Sequence, residues 1–228
     1  MDLRAGDLTR RVGGAIGIAP EGVTMAAVVL AAGALALVLG WNGAGAIAII
    51  CGLAIAAFFR DPERSPAAVA SERLVFSGAD GTVSDVTEMP LPDGGGNERY
   101  HRVSVFMSPL NVHVNRAPVS GKVMSVRHTP GAFRAAFRDH ASEHNERNLV
   151  VMTDARGRQH AIVQIAGYLA RRIVCRLHPH DMVSCGERIG LIMFGSRVDH
   201  FIPSDYRIVV KIGERVRAGE SIIGELLQ

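Results

Sequence analysis

The longest charge-free segment of the chain does most to limit what it can fold into. Residues 23–59 carry no charged side chain, and Trp41-Asn42-Gly43 divides them into apolar runs of 19 and 17 residues. A helix rises about 1.5 Å per residue and the hydrocarbon core of a bilayer is about 30 Å thick, so each run is just long enough to cross it. Because Asn-Gly is a turn signal, the segment predicts a transmembrane hairpin of two helices, at about 23–41 and 43–59.

The charges that flank this segment predict its orientation. Arg4, Arg10 and Arg11 precede the first run, Arg60 and Arg64 follow the second, and the turn between the runs has no charge. The positive-inside rule then puts both termini in the cytoplasm, with the following domain on the cytoplasmic face of the cell (inner) membrane. A cleaved signal peptide would have one shorter apolar core. A soluble or re-entrant helical hairpin stays open as an alternative.

The rest of the chain carries all 25 basic and 22 acidic side chains, which predicts a globular domain. The net charge of +3 is too small to indicate a nucleic-acid partner. Lys122 and Lys211 are the sole lysines, so chemistry that needs a lysine Schiff base has two candidates. Cys51, Cys175 and Cys185 lack the spacing of a zinc site. We therefore predict no metal and an ordinary reducing compartment.

A change of pattern after the apolar segment predicts the domain organisation. Residues 61–66 contain two prolines and mixed charge, as in a linker, so we expect an anchor at 1–60 and a catalytic domain at 61–228. Beyond about residue 74, short β-rich segments alternate with glycine, proline and asparagine, which predicts a mainly β domain. No long amphipathic helix is evident, although residues 132–144 could form one. Candidate strands are 102–106, 112–114, 149–153, 160–165, 188–194, 206–211 and 221–227.

Two internal echoes suggest how these strands are arranged. Residues 78–86 resemble 118–126, and residues 183–190 resemble 216–224. Such repeats suit a lipoyl- or biotinyl-like β-sandwich, which folds from two similar halves. The expected fold is therefore a mainly β sandwich of this type behind the helical hairpin. A fold of this kind does not by itself assign a function.

The pair Gly195-Ser196, at the end of a candidate strand, carries the most specific chemistry. A serine hydroxyl can attack the carbonyl of the preceding residue where the backbone is strained and a base is near. Glycine before it removes the Cβ that would hinder the attack. Alone the signal is weak, because Gly-Ser pairs are common in loops.

Three segments together give that pair a context. They are FMSPLNVHVNRAPVSG at 106–121, ADG at 79–81 and FGS at 194–196. From about Asp61 to the C-terminus the chain resembles the pyruvoyl-dependent phosphatidylserine decarboxylases, above all their short form, which includes archaetidylserine-type enzymes. The resemblance implies self-cleavage between Gly195 and Ser196, which gives a β chain of 195 residues and an α chain of 33.

The resemblance also implies the cofactor and the reaction. In the family, the serine attacks the glycine carbonyl, an ester forms, and β-elimination and loss of ammonia leave a pyruvoyl group, here at Ser196. That pyruvate-derived group forms a Schiff base with the substrate amine and accepts electrons as CO2 leaves. Phosphatidylserine would become phosphatidylethanolamine in phospholipid biosynthesis. The implied partners are the phospholipid membrane and the chain's own two fragments as a heterodimer; further oligomerisation is open.

Other site residues follow from the same match. Asp80 lies in the family's Asp-Gly element and would assist self-cleavage. His113 would be the acid–base group of decarboxylation, since a pKa near 6.5 suits proton transfer. Longer family members carry a second histidine three residues on, where this chain has Arg116, so the base for Ser196 is open. We favour His113 for both steps, with His200 as the second candidate.

Two residues are matched to the substrate. Arg147 lies in an Asn-Glu-Arg element and could hold the phosphate or carboxylate through a bidentate contact. A structural ion pair with Glu146 is an equal alternative. Asn111, in the 106–121 segment, is the second expected substrate-binding residue.

Three alternatives compete with this interpretation. His140 and His144 fit H-x-x-E-H, an inverted zinc-peptidase pattern, but nothing marks a third ligand. A membrane-tethered lipoyl-like adaptor without catalysis would need no Ser196 chemistry, although no carrier lysine lies at the expected hairpin. A pyruvoyl decarboxylase of a soluble amino acid would leave the membrane hairpin unexplained.

Overall fold

A computed structural model describes residues 17–64, 72–92, 98–131, 145–167, 172–193 and 196–227. The chain forms two compact units that divide between Glu63 and Arg64. Residues 132–144, which could form a helix, lie outside the described residues.

Two apolar helices form the first unit. α1 spans Pro20–Val38 and α2 spans Asn42–Phe58. Glycines let them approach closely, because a Cβ on Gly45 or Gly52 would lie 2.6 Å from a leucine side chain of α1. α1, with 19 residues, is long and apolar enough to cross a membrane, and α2, with 17, is apolar and shorter. Helix α1 begins three residues before the predicted start, because Pro20 is favoured in a first turn.

Short antiparallel strands form the second unit. The first seven are β1 Leu74–Phe76, β2 Gly81–Pro90, β3 Arg99–Met107, β4 Val114–Arg116, β5 Gly121–Thr129, β6 Arg147–Thr153 and β7 Gln159–Ile165. The next seven are β8 Ile173–Cys175, β9 Met182–Val183, β10 Arg188–Ile192, β11 Ser196–Pro203, β12 Tyr206–Ile208, β13 Arg215–Val216 and β14 Ile222–Leu226.

Most candidate strands are found, with two notable differences. Of the segment predicted at 112–114, only Val114 lies in a strand, because a turn at 108–111 precedes it. The asparagine side chain of Asn111 closes that turn by accepting two hydrogen bonds from Ser108. The prediction missed the long strands β2, β5 and β11. In β2 and β5 a bulge near the start shifts the register and breaks the expected alternation.

The strand pairing shows an internal duplication. One sheet has the order β13-β2-β3-β11-β7-β6-β5-β9, and two small sheets have the orders β1-β14-β12 and β4-β10-β8. Taken together, the three strand orders are those expected of a seven-stranded unit that occurs twice in the chain. One copy is β4 to β10, continuous in the chain. The other copy consists of β1, β2 and β3 together with β11 to β14, so the continuous copy is inserted between β3 and β11.

The two sequence echoes occupy equivalent places in the two copies. Gly81 begins β2 and Gly121 begins β5, and a Cβ there would lie 2.1 Å from the Phe106 carbonyl oxygen or 2.2 Å from that of Thr153. Glycine is therefore required at both strand starts. β13 pairs with the start of β2, and β9 pairs with the start of β5.

The large sheet has a core on each face. Val198 and Ile202 of β11 belong to the larger apolar cluster and Phe201 to the smaller one. Because side chains alternate along a strand, Ser196 and His200 share the face of the larger cluster. Arg197 and Asp199 face the other way, where their side chains form a buried ion pair of 2.9 Å.

Candidate active site

Ser196 is the first residue of β11, at the point where the inserted copy returns to the first copy. It is fully buried and lies opposite Met107 in the β3–β11 ladder. Its hydroxyl donates to Met107 Sδ at 3.4 Å. β11 is held by β3 on one side and β7 on the other. The hydroxyl predicted to act as nucleophile thus lies in the buried interior of the fold. Gly195 lies outside the described residues.

Three buried carboxamides connect to the same methionine. Asn115 Nδ2 donates to Met107 Sδ at 3.7 Å, and Gln164 Nε2 donates to Asn115 Oδ1 at 2.9 Å. Asn148 Nδ2 donates in turn to Gln164 Oε1 at 3.1 Å. None of these three residues is predicted as a site residue from the sequence. The available signal was a polar residue inside an apolar strand, as Gln164 is in β7 and Asn148 in β6.

His113 is buried beside the end of β10. Its Nδ1 donates to the carbonyl of Asn111 at 3.0 Å, and its own carbonyl accepts from the amide of Ile192 at 3.3 Å. With its proton on Nδ1, a neutral ring has a lone pair on Nε2 and can accept a proton. The backbone of His113 therefore lies next to Ile192, four residues before Ser196.

Asn111 has a role in building this site. Its Oδ1 accepts from the amide and the hydroxyl of Ser108, at 2.8 and 2.7 Å, and its carbonyl holds His113. Because both hydrogen bonds to Oδ1 come from within the turn, this side chain shapes the support of His113. Its expected contact with the substrate stays a prediction.

Asp80 is buried just before β2 and carries a charge partner. Arg64 Nη1 bonds Asp80 Oδ1, and Arg64 Nη2 donates to Oδ2 at 2.8 Å. The amide of Ala218 also donates to Oδ1, at 2.8 Å. In the other copy of the repeat, Ser120 Oγ accepts from the amide of Cys185, likewise at 2.8 Å. The bond to Ala218 is thus a shared feature of the fold, and the guanidinium of Arg64 is what distinguishes Asp80.

His200 is fixed as a neutral ring. The amide of Gly78 donates to Nε2 at 2.7 Å, and Nδ1 donates to the Val103 carbonyl at 3.1 Å. Burial lowers the pKa of His200 to about 4, against the opposing effects of the Val103 carbonyl and Asp199. Because its lone pair already accepts a hydrogen bond, His200 is poorly suited to be the base for Ser196, the role for which the sequence makes it the second candidate.

Arg116, at the position of the second family histidine, is also buried. Its Nη1 donates to the carbonyl of Gly186 at 2.9 Å, and a Cβ on Gly219 would lie 3.1 Å from its side chain. Gly186 and Gly219 are equivalent residues of the second sequence echo. The guanidinium is therefore bonded within its own copy of the repeat, while the aliphatic part of the Arg116 side chain lies close to Gly219 of the other copy. Its neighbour Asn115 is the β4 residue that reaches Met107.

Arg147 begins β6 and is half-buried. Its neighbour Asn148 faces Gln164 and the larger core. Alternation along β6 therefore directs Arg147 to the face opposite the Ser196 side chain. Its expected role in binding the phosphate or carboxylate of the substrate stays a prediction.

The zinc-peptidase alternative receives no support. His140 and His144 lie outside the described residues. Within the described part of the chain, no group of three or more histidine, cysteine, aspartate or glutamate side chains could hold a metal ion.

Comparison with known proteins assigns the family. The family model for phosphatidylserine decarboxylase matches residues 52–224. Three relatives are each named phosphatidylserine decarboxylase proenzyme. The one from Chlorobium chlorochromatii (strain CaD3) is 50% identical over 169 residues, covering 73% of this chain and 76% of the relative. The one from Ruegeria pomeroyi is 44% identical over 191 residues, covering 83% and 84%. The one from Magnetococcus marinus is 42% identical over 214 residues, covering 92% and 95%. The chain therefore belongs to the phosphatidylserine decarboxylase family, whose members are decarboxylases of phospholipid metabolism made as proenzymes.

Proposed function

We propose that this chain cleaves itself between Gly195 and Ser196 and then converts phosphatidylserine to phosphatidylethanolamine with a pyruvoyl group at position 196. The observation that carries the proposal is the position of Ser196. It is a buried serine at the first residue of a central strand, in contact with a thioether. A nucleophile that reacts once with its own backbone does not have to be reached from solvent. Burial of Ser196 is therefore compatible with self-cleavage.

The surroundings of Ser196 fit a neutral keto group. The described contacts of its side chain lead to Met107 and to uncharged carboxamides. Lys122 and Lys211 are exposed, so neither lysine is a buried candidate for Schiff-base chemistry. The pyruvoyl ketone would take up the substrate amine and act as electron sink while CO2 leaves.

His113 is the proposed acid–base group. Its Nδ1–H bond to Asn111 orients the ring, so Nε2 is the atom that can take or give a proton. We propose that it protonates the substrate carbon after CO2 leaves. Asp80 would assist self-cleavage through its charge, which Arg64 balances. Arg147 is retained as the proposed anchor of the substrate's phosphate, the group farther from the reacting carbon, because alternation along β6 directs its side chain to the face opposite Ser196.

Strand pairing supports a stable heterodimer of the two fragments. The proposed α chain would contain β11 to β14 and the β chain all earlier strands. β11 pairs with β3 and β7, β14 with β1, and β13 with β2. Because these ladders cross between the fragments, cleavage would remove one covalent bond and leave the sheets intact.

The anchor and the finer fold class are part of the proposal. We propose that 1–60 is a membrane anchor whose helices form a transmembrane hairpin, and that 61–228 is the catalytic domain on the cytoplasmic face of the inner membrane. One helix of sufficient length and flanking arginines in the sequence support this. The duplicated seven-stranded unit supports a lipoyl/biotinyl-like sandwich.

Intact mass spectrometry of the purified full chain tests the proposal. We expect fragments of 195 and 33 residues, the shorter one beginning with a ketone that couples to an amine under reducing conditions. Ser196→Ala should stay one chain without decarboxylase activity. Ser184→Ala, at an exposed serine, is the control and should be cleaved normally. An uncut wild-type chain that decarboxylates phosphatidylserine would refute the pyruvoyl mechanism.

A further inference from the structure

The side-chain hydrogen bonds of the three carboxamides near Ser196 all run in one direction, towards Met107. Asn148 donates to Gln164, Gln164 donates to Asn115, and Asn115 donates towards Met107. All three side chains are at most 2% exposed. They come from β6, β7 and β4, so three separate strands orient a single amide group. Because the side-chain oxygens of Gln164 and Asn115 are both used as acceptors, the amino end of Asn115 is the end that faces Met107.

The acceptor at the end of this chain is unusually weak. The thioether of Met107 accepts at 3.7 Å from Asn115 and at 3.4 Å from the Ser196 hydroxyl. Sulfur of this kind is a poor hydrogen-bond acceptor. The Asn115 amide is buried and oriented by Gln164 and Asn148, but among the described residues it donates only to this weak acceptor. It can therefore still donate to a stronger acceptor. The Ser196 hydroxyl donates to the same Met107 sulfur as Asn115.

We propose that Asn115 stabilises the negative charge that forms on Ser196 Oγ when its hydroxyl loses its proton during self-cleavage, and that Gln164 and Asn148 position it. This inference rests on the proposed function. In the step concerned, Ser196 Oγ bonds to the carbonyl carbon of Gly195 and the peptide C–N bond breaks. The hydroxyl proton, carried by a base, ends on the freed nitrogen, so an amide and a hydroxyl become an ester and an amine.

Aligned amide dipoles explain how the uncharged side chain of Asn115 can stabilise a negative charge on Ser196 Oγ. Each donor in the series polarises the next, and donors fixed before the reaction need no rearrangement as charge develops. One movement outside this series is required: the flexible Met107 side chain rotates away so that Asn115 reaches Ser196, while the three carboxamides keep their orientation. Neighbouring polar groups are less suitable, because Arg116 bonds the Gly186 carbonyl and His200 is held at both nitrogens.

Two substitutions at one position test this role. Asn115→Leu removes the donor at similar volume, and Asn115→Asp keeps the shape while replacing the amino group by oxygen. We expect self-cleavage of the freshly synthesised full chain, followed by intact mass, to slow about 100-fold or more in both. Asn148→Leu removes only the most distant support, and we expect less than about a 10-fold effect. Thermal unfolding identifies the variants that remain folded.

Hydroxylamine separates this role from a merely structural one. It cleaves esters, so it releases the 33-residue fragment from any chain halted after the ester has formed. Because Asn115 is proposed to act before that point, hydroxylamine should release no extra fragment from its variants. A folded variant at 115 that is cleaved at the wild-type rate, or that accumulates a hydroxylamine-sensitive ester, overturns the inference. A wild-type chain that never cleaves would instead overturn the proposed function itself.

Discussion

The backbone amide of Gly78 donates a hydrogen bond of 2.7 Å to Nε2 of His200. The other ring nitrogen donates to the Val103 carbonyl at 3.1 Å. A histidine can satisfy both neighbours only as an uncharged ring with its proton on Nδ1. The Gly78–His200 bond joins the segment before β2 to the middle of β11, the strand that begins at Ser196. Protonation of the His200 ring would break this bond and so disturb the strand that carries Ser196.

The first prediction concerns stability at acid pH. Burial lowers the pKa of His200 from 6.5 to about 4, and burial also lowers the pKa of His160. Between about pH 6.5 and 4 the unfolded chain therefore binds protons that the folded chain excludes. The free energy of unfolding should be level above pH 6.5 and fall as the pH drops through this window, by on the order of 3 kcal/mol for His200.

Urea unfolding in detergent at several pH values measures this effect. His200→Gln should lower stability at neutral pH and flatten the slope between pH 6.5 and 4. An unchanged slope in that variant would show that His200 is not the titrating group.

The second prediction concerns the space at Gly78. A Cβ there would lie 2.6 Å from Ile162 Cδ1 and 2.7 Å from the Arg116 carbonyl oxygen. Gly78→Ala should therefore lower the free energy of unfolding by about 1–3 kcal/mol, as overpacking does. Gly224→Ala is the control, because its Cβ would meet neighbours at ordinary distances of 3.4 Å or more. Equal melting temperatures for the two variants would contradict the prediction.

The third prediction concerns the pair of Arg64 and Asp80. Their side chains are 8% and 10% exposed, so Arg64→Ala leaves a carboxylate buried without its cation. We expect a loss of about 3–5 kcal/mol. Arg207→Ala breaks the exposed pair with Glu225, and its cost should stay within about 1 kcal/mol.

A double-mutant cycle checks whether the two charges are coupled. Arg64→Ala with Asp80→Asn should be less destabilised than the sum of the single variants, because neither charge is then left alone. Simple additivity of the three free energies would argue against direct coupling.

The fourth prediction concerns turnover. His113→Gln should reduce the decarboxylation of phosphatidylserine in mixed micelles by about 100- to 10,000-fold, which is the usual contribution of an acid–base group. His128→Gln replaces an exposed histidine, with a side chain 52% exposed, and should retain activity. Intact mass of each preparation shows whether His113 is also needed for self-cleavage. Full activity of cleaved His113→Gln would remove this residue from the mechanism.

The sequence by itself determined the class of this protein. An uncharged apolar stretch of 37 residues predicts helices, since a helix satisfies its backbone hydrogen bonds within a single segment in an apolar environment. Glycine-punctuated β segments predict the mainly β domain, and the motifs around Asp80, His113 and Ser196 predict the family. These signals are local, because each depends on residues close together in the chain.

Only the tertiary structure decided which side chains surround Ser196. Asn148 and Gln164 meet because register pairs β6 with β7, and Asn115 reaches Gln164 from β4, a strand of another sheet. No local periodicity encodes either contact. The same packing occupies the lone pair of His200 and gives Asp80 its partner Arg64. From the sequence, Arg64 is predicted only to flank the membrane segment. Burial makes each of these contacts matter, since a polar group removed from water must find its partner within the fold.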